Sequence, residues 1–165
     1  MGGPAGSQPA FLLRGNMALT KIVPLAYLAA CIAAAVALDW LWSEAKLIAA
    51  PWNLLGIIGV ALGVALVAPS VWSLKRHGTT VKPLRKPKVL VTTGVFRISR
   101  NPIYLGFVLV LLGTVVLLGS LTPWLLAVAV AVFLHAVFVR FEETRLEEVF
   151  GEAWAAYKRK VRRWL

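Results

Sequence analysis

The sequence predicts an all-α integral membrane protein with four transmembrane helices, two single spans followed by a helical hairpin. Three observations carry this. Of 165 residues, 59% are hydrophobic and only 15% charged, with a mean hydropathy of +0.78; a soluble domain carries about a quarter charged residues. Residues 22–38, 47–74 and 101–139 contain no Asp, Glu, Lys or Arg, giving uncharged runs of 17, 28 and 39 residues. A bilayer core needs about 20 apolar residues per helix, so the third run is long enough for two spans. That run is broken at Gly119-Ser-Leu-Thr-Pro123, a Gly/Pro turn signal. The distribution excludes a water-soluble globular enzyme, a nucleic-acid-binding domain and a disordered tail.

Residues 1–16 are rich in Gly and Pro and lack a basic start leading into an apolar core. They read as a flexible N-terminal segment and not as a cleaved signal peptide, with Met17 as a candidate native start. The first span runs from about Ile22 to Leu41, with Pro24 near its start. Trp40 and Trp42, beside Asp39 at its outer end, suit an interfacial belt. Cys31, the single cysteine, has no partner for an internal disulfide. The second span runs from about Trp52 to Leu74. Its Gly56, Gly59 and Gly63 offer small surfaces to a neighbouring helix, and Pro69 marks a kink. The hairpin follows as Ile103–Leu118 and Pro123–Val139. Between the second span and the hairpin, residues 75–100 hold Pro83, Pro87 and Gly94 and read as loop. Helical periodicity returns from Phe141 to Tyr157. The chain thus divides into 1–16, a pair of spans in 17–74, and a core in 75–165 of basic loop, hairpin and C-terminal amphipathic helix.

Charge sets the orientation. Eight basic residues and no acidic one lie between Lys75 and Arg100, and seven basic and five acidic residues lie from Arg140 onward. Only Asp39, Glu44 and Lys46 separate the first two runs. The positive-inside rule places the basic loop and the C-terminus in the cytoplasm. Four spans then put the N-terminus, with Arg14 and Lys21, there too. The net charge of +11 is topology signal and contact with anionic lipid, so no nucleic-acid partner is expected. The expected location is a bacterial or archaeal plasma membrane.

The C-terminal helix carries the chemical clue. At about 100° per residue, Leu146, Val149, Phe150, Ala153, Trp154 and Tyr157 form one apolar stripe. Glu147, Glu148 and Glu152 fall off it, whereas Glu142 and Glu143 fall on it. A carboxylate on a buried face just past a span requires a cation. Two readings stay open: a salt bridge to Arg140, Arg145 or a loop Arg, or the capture of a cationic ligand group. At the other end of the longest uncharged run stands Arg100-Asn101-Pro102-x-Tyr104-x-Gly106. The hairpin brings the chain out and back, so both ends lie at one membrane surface. There Arg100 suits a carboxylate and the glutamates suit an ammonium, the two groups of an amino-acid-bearing cofactor. His77 and His135 lack partners at metal-ligand spacing, and HExxH, CxxC and phosphate-loop patterns are absent. No metal is expected, and His135 reads as a helix-packing hydrogen bonder.

The stretch Lys88-Val-Leu-Val-Thr-Thr-Gly94-Val-Phe96-Arg-Ile-Ser-Arg100-Asn-Pro-Ile-Tyr104-Leu-Gly106 resembles the isoprenylcysteine carboxyl methyltransferase family, a group that includes small membrane phospholipid methyltransferases. So does Glu142-Glu143-x-x-Leu146-x-x-x-Phe150-Gly151-x-x-Trp154-x-x-Tyr157-Lys-x-x-Val161. The resemblance runs from about His77 to the C-terminus. It implies an S-adenosylmethionine-dependent methyltransferase without a Rossmann fold, acting on a lipid-like or prenyl-cysteine-like acceptor. The implied cofactor contacts are a strand-like Lys88, Val89, Leu90 and Val91, then Phe96, Arg100, Asn101, Pro102, Ile103, Tyr104 and Glu142. Phe96 replaces the family's usual Tyr, and Asn101 its usual His. The closing stretch to Trp164-Leu165 lacks the proline common at the end of the family's pattern. A carboxylate acceptor needs no base, while an amine or thiol must lose a proton, for which Tyr104 and Glu143 are the candidate catalytic residues. Two alternatives remain: a non-catalytic membrane subunit that kept the scaffold, and a membrane reductase of similar layout using a nicotinamide cofactor.

Overall fold

A computed structural model of the chain describes residues 24–42, 46–79 and 87–165. The segment 1–16, Met17, the first residues of the first span, Glu44, and Lys82, Arg85 and Lys86 of the basic loop lie outside the described residues. Helix α1 (Pro24–Leu41) is followed by a 3-10 turn (Trp52–Leu55) leading into α2 (Gly56–Arg76). A second 3-10 turn (Gly94–Arg97) precedes α3 (Pro102–Leu118) and then α4 (Thr122–Phe133). The last of these runs on through a π-helical stretch (Leu134–Val139) into α5 (Arg140–Lys160). Among the described residues no strand is present, and Lys88–Val91, expected to be strand-like, is irregular. Two helices are long and apolar enough to cross a bilayer, Trp52–Arg76 and Thr122–Lys160; Ala26–Leu41 and Pro102–Leu118 are shorter apolar helices. Their outward side chains, such as Ile57, Leu62, Leu125 and Val132, are exposed, as a lipid-facing surface requires.

The α2–α3 interface is built on glycine. A Cβ added at Gly63 would sit 2.6 Å from the Gly106 carbonyl oxygen, and one at Gly113 would sit 2.6 Å from both the Gly56 oxygen and the Val60 nitrogen. The two backbones therefore touch, as small-residue helix pairs do in membranes. Helix α2 continues through Pro69, where Ser70 Oγ donates to the Leu66 carbonyl at 2.6 Å. On the other side of α3, Leu111 and Val115 pack with Ala35 of α1 and Ala127 of α4.

The hairpin turn is clamped by side chains that read as sparse charges in the sequence. A helix ends with carbonyls lacking intrahelical partners, and α3 finds donors for three of them. Asn53 Nδ2 donates to Leu117 O (3.1 Å), Lys46 Nζ to Leu118 O (2.8 Å), and the Leu47 and Ile48 amides to Gly119 O. Lys46 also pairs with Asp39 at 3.1 Å, and Ser120 donates to the same carboxylate. The end of α1, the connection to α2 and the hairpin turn are thereby tied together.

Two features depart from the regular helices expected. The second limb of the hairpin ends in the π-helical turn, which contains His135. Its Nδ1 is buried without a hydrogen-bond partner among the described residues, while its ring lies 5.9 Å from that of Trp164. The C-terminal helix is also not one continuous rod. Gly151 adopts φ +47°, ψ −116°, a conformation that a side chain would strain. Lys158 Nζ consequently lies 3.2 Å from Glu147 Oε1, although eleven residues of straight helix would rise about 16 Å. The expected stripe is corrected accordingly. Leu146, Phe150, Trp154 and Tyr157 pack together with Val161 and Leu90, while Val149 and Ala153 are exposed.

Candidate functional site

The bend at Gly151 folds the end of α5 back over the start of α3 and leaves a pocket between them. It is an open cleft lined by sixteen of the described residues. Ten residues proposed from the sequence line it: Val89, Leu90, Val91, Phe96, Arg100, Asn101, Pro102, Ile103, Tyr104 and Glu142. Lys88 does not; it is exposed, and its amide donates to Thr79 Oγ1 at 3.2 Å. Glu143 lies behind the pocket wall and is 6% exposed. Leu74, Thr79, Pro87, Leu146, Trp154 and Tyr157 also line the pocket and were not proposed as site residues. Of these, Leu146 was findable, since it stands one helical turn beyond Glu142 on the same face.

Two charged groups of opposite sign face this space. The Tyr104 hydroxyl donates to Glu142 Oε2 at 3.0 Å, which orients the carboxylate. Glu142 stands three residues beyond the apolar stretch that ends at Val139. Burial pushes its pKa up to about 6, against the lowering effect of the Tyr104 hydrogen bond, with the neighbouring Glu143 adding to the rise. Across the pocket, the Arg100 guanidinium lies over the Trp154 ring at 5.5 Å from its centroid, an arrangement that favours the cation. Its side chain is 9% exposed, with Nη2 3.4 Å from Glu143 Oε1. Arg100 Nε and Nη1 and Trp154 Nε1 are buried donors without partners among the described residues. Buried donors are normally paired, so these three mark a place for acceptor atoms. The aromatic floor is held by Tyr157, whose hydroxyl donates to the Phe96 carbonyl at 2.5 Å.

The two glutamates on the buried face therefore have different surroundings. Glu143 takes the salt-bridge reading, with the loop residue Arg100 and with Arg163 at 2.7 Å; the partners Arg140 and Arg145 were expected equally, and Arg163 was not foreseen. Glu142 faces the pocket.

The model of the phospholipid methyltransferase family matches residues 52–153, well over half of the chain. The chain belongs to that family. Within the phospholipid methyltransferase match fall both glutamates, the Arg100–Tyr104 segment and the glycine interface of α2 and α3. Among its relatives, the Protein-S-isoprenylcysteine O-methyltransferase of Schizosaccharomyces pombe is 36% identical over 76 residues, 46% of this chain and 32% of that protein. Protein-S-isoprenylcysteine O-methyltransferase B of Arabidopsis thaliana is 32% identical over 111 residues, 64% of this chain and 55% of that protein. An uncharacterized protein of Haemophilus influenzae is 39% identical over 62 residues, 38% of this chain and 98% of its own length. The chain thus spans between a third and about half of the two named methyltransferases. No solved structure matches.

Proposed function

We propose that this protein is a membrane-embedded, S-adenosylmethionine-dependent methyltransferase acting on a lipid-like or prenyl-cysteine-like acceptor. The observation that carries the reading is the pairing, in one pocket, of the Tyr104-oriented Glu142 carboxylate with the orphaned donors of Arg100. An amino-acid-bearing sulfonium compound presents a carboxylate, an ammonium and a positive sulfur, and the residues present fit all three. Arg100 would hold the carboxylate, Glu142 the cationic portion, and Phe96, Trp154 and the Val89–Val91 segment the remaining apolar and aromatic surface.

When bound, such a cofactor supplies an electrophilic methyl group for in-line transfer to a nucleophile. The protein's part is positioning and exclusion of water. Pro102, Ile103 and Tyr104 begin α3 and so set the pocket wall rigidly. Val91 and Phe96 are buried and keep the interior dry, which favours a reaction that consumes positive charge. A carboxylate acceptor arrives ionised and needs no base. For an amine or thiol, the Glu142 carboxylate, oriented by Tyr104, would be the proton acceptor, because both Glu143 oxygens are already engaged.

Four spans, with the pocket at the cytoplasmic face, complete the proposal. Arg76, Arg97 and Lys158–Lys160 lie in the last turns of elements that also supply pocket-lining residues, beside Arg100 in the pocket itself, as the positive-inside rule asks of a cytoplasmic surface. The acceptor's apolar part then enters from the bilayer and the soluble cofactor from the cytoplasm. Calorimetry in detergent tests the reading: S-adenosylmethionine binds the unmodified protein, and binding is lost or severely weakened in Glu142→Ala and Tyr104→Ala. No heat of binding with the unmodified protein would refute it. Binding without methyl transfer to any lipid fraction would favour a non-catalytic subunit.

A further inference from the structure

We infer that the segment 161–165 is a clasp, anchored on Glu143 through Arg163, that positions Arg100 for the ligand's carboxylate; the inference rests on the reading of the pocket above. After α5 the chain turns back and runs beside residues 99–101. The Arg100 amide donates to the Arg162 carbonyl at 3.1 Å, Ser99 Oγ donates to the Arg163 carbonyl at 3.1 Å, and Asn101 Nδ2 reaches the same carbonyl at 3.3 Å. The side chain of Arg163 then grips Glu143. Its Nε and Nη2 both donate to Oε2, at 3.0 and 2.7 Å. Asn101 Nδ2 donates to Oε1 at 3.2 Å.

This arrangement divides the carboxylate of Glu143 between two arginines. With Oε2 taken by Arg163, Arg100 can reach only Oε1, and it does so with Nη2 alone at 3.4 Å. Its Nε and Nη1 are thereby kept from the carboxylate. Without Arg163, Glu143 would be free to draw Arg100 into a two-point ion pair, the geometry a guanidinium and a carboxylate prefer. The donors meant for a ligand would then be consumed internally. Charge points the same way. Glu143 is shared by two arginines, so removal of Arg163 takes one positive charge from beside Arg100 and weakens the pull on an anionic ligand group. Asn101 suits the role because its amide serves Glu143 and the Arg163 carbonyl without titrating. Arg163 lies beyond the residues matched by the family model, 52–153. Glu143 and Arg163 are on this account positioning residues.

The test compares S-adenosylmethionine with its decarboxylated analogue, by equilibrium binding in detergent. The unmodified protein prefers the carboxylate-bearing ligand by about tenfold or more, the usual worth of a charged hydrogen bond. In Arg163→Ala that preference collapses to within about twofold, through loss of affinity for S-adenosylmethionine, while the analogue binds as before. Arg163→Lys, which keeps the charge and loses the planar fork, lies between. A merely structural role would weaken both ligands alike, and that result, or an unchanged preference, overturns the inference while leaving the pocket reading intact. Failure of the unmodified protein to bind either ligand overturns both. Should Arg163→Ala not fold, Ser99→Ala, which removes one bond to the clasp, must narrow the preference to a smaller degree; an unchanged ratio there overturns the inference equally.

Discussion

Substitution of Gly113 by Ala tests whether the packing of α2 on α3 supports the pocket. The added Cβ would lie 2.6 Å from the Gly56 oxygen and the Val60 nitrogen, where ordinary contact begins at 3.4 Å. Both neighbours are backbone atoms and cannot swing aside, so the helices must separate by about 0.8 Å at this level. Overpacking of this kind costs about 1–3 kcal/mol, which corresponds to roughly 3–10 °C in melting temperature for a chain of this size. The separation propagates to function because α2 ends beside Leu74 and Thr79, and α3 begins with Pro102–Tyr104, on opposite sides of one pocket. Thermal melting in detergent, paired with calorimetric affinity for S-adenosylmethionine, reads both consequences. Leu62→Ala, on an exposed face of α2, is the control and leaves both nearly unchanged. If Gly113→Ala melted and bound like the unmodified protein, the helices would not be in backbone contact and the reasoning would fail.

Two further predictions follow from the site and its supporting bend. The Glu142 pKa is raised by burial to about 6, so the folded protein holds that proton more tightly than the unfolded chain does. Lowering the pH through about 6 toward the ordinary carboxylate range therefore raises the melting temperature contribution of this group, by linkage, while weakening the binding of a cationic ligand over the same window. Calorimetry and melting across that range should show the two trends with opposite signs, and both should vanish in Glu142→Gln. Gly151→Ala meets no atom within 4 Å, so its cost is backbone strain alone, of order 1–3 kcal/mol. It should lower the melting temperature and straighten α5, loosening Trp154 and Tyr157 from the pocket. Unaltered affinity and melting in this variant would show that the bend is not needed.

What was legible in the sequence has a physical boundary. The first limb and the turn of the hairpin were legible because lipid demands uncharged runs, because Gly119 ends α3 and because Pro123 suits the first turn of α4. The inward face of Glu142 and Glu143 was legible as well, since over the first turns of α5 helical periodicity alone sets the face. Their different partners were not, because Tyr104, Arg100 and Arg163 come from separate segments and only tertiary packing decides between them. Ala153 is exposed for a local reason: an unbroken 100° period does not carry through Gly151, whose positive φ ends it, while Val149, before the bend, stands at the edge of the stripe. Leu74 and Thr79 escaped notice because their place in the site depends on the glycine contact of α2 with α3. In the sequence that contact shows only as three small residues in an ordinary-looking span.

The central claim is that this pocket delivers a methyl group to a lipid-like acceptor. It is tested most directly by incubating the protein with S-adenosylmethionine labelled in its methyl group and a total membrane-lipid extract, then identifying the labelled product. The account predicts label in a lipid-soluble product, abolished by Glu142→Ala. Label remaining wholly on the cofactor, under conditions where the cofactor binds and the acceptors are present, would contradict it.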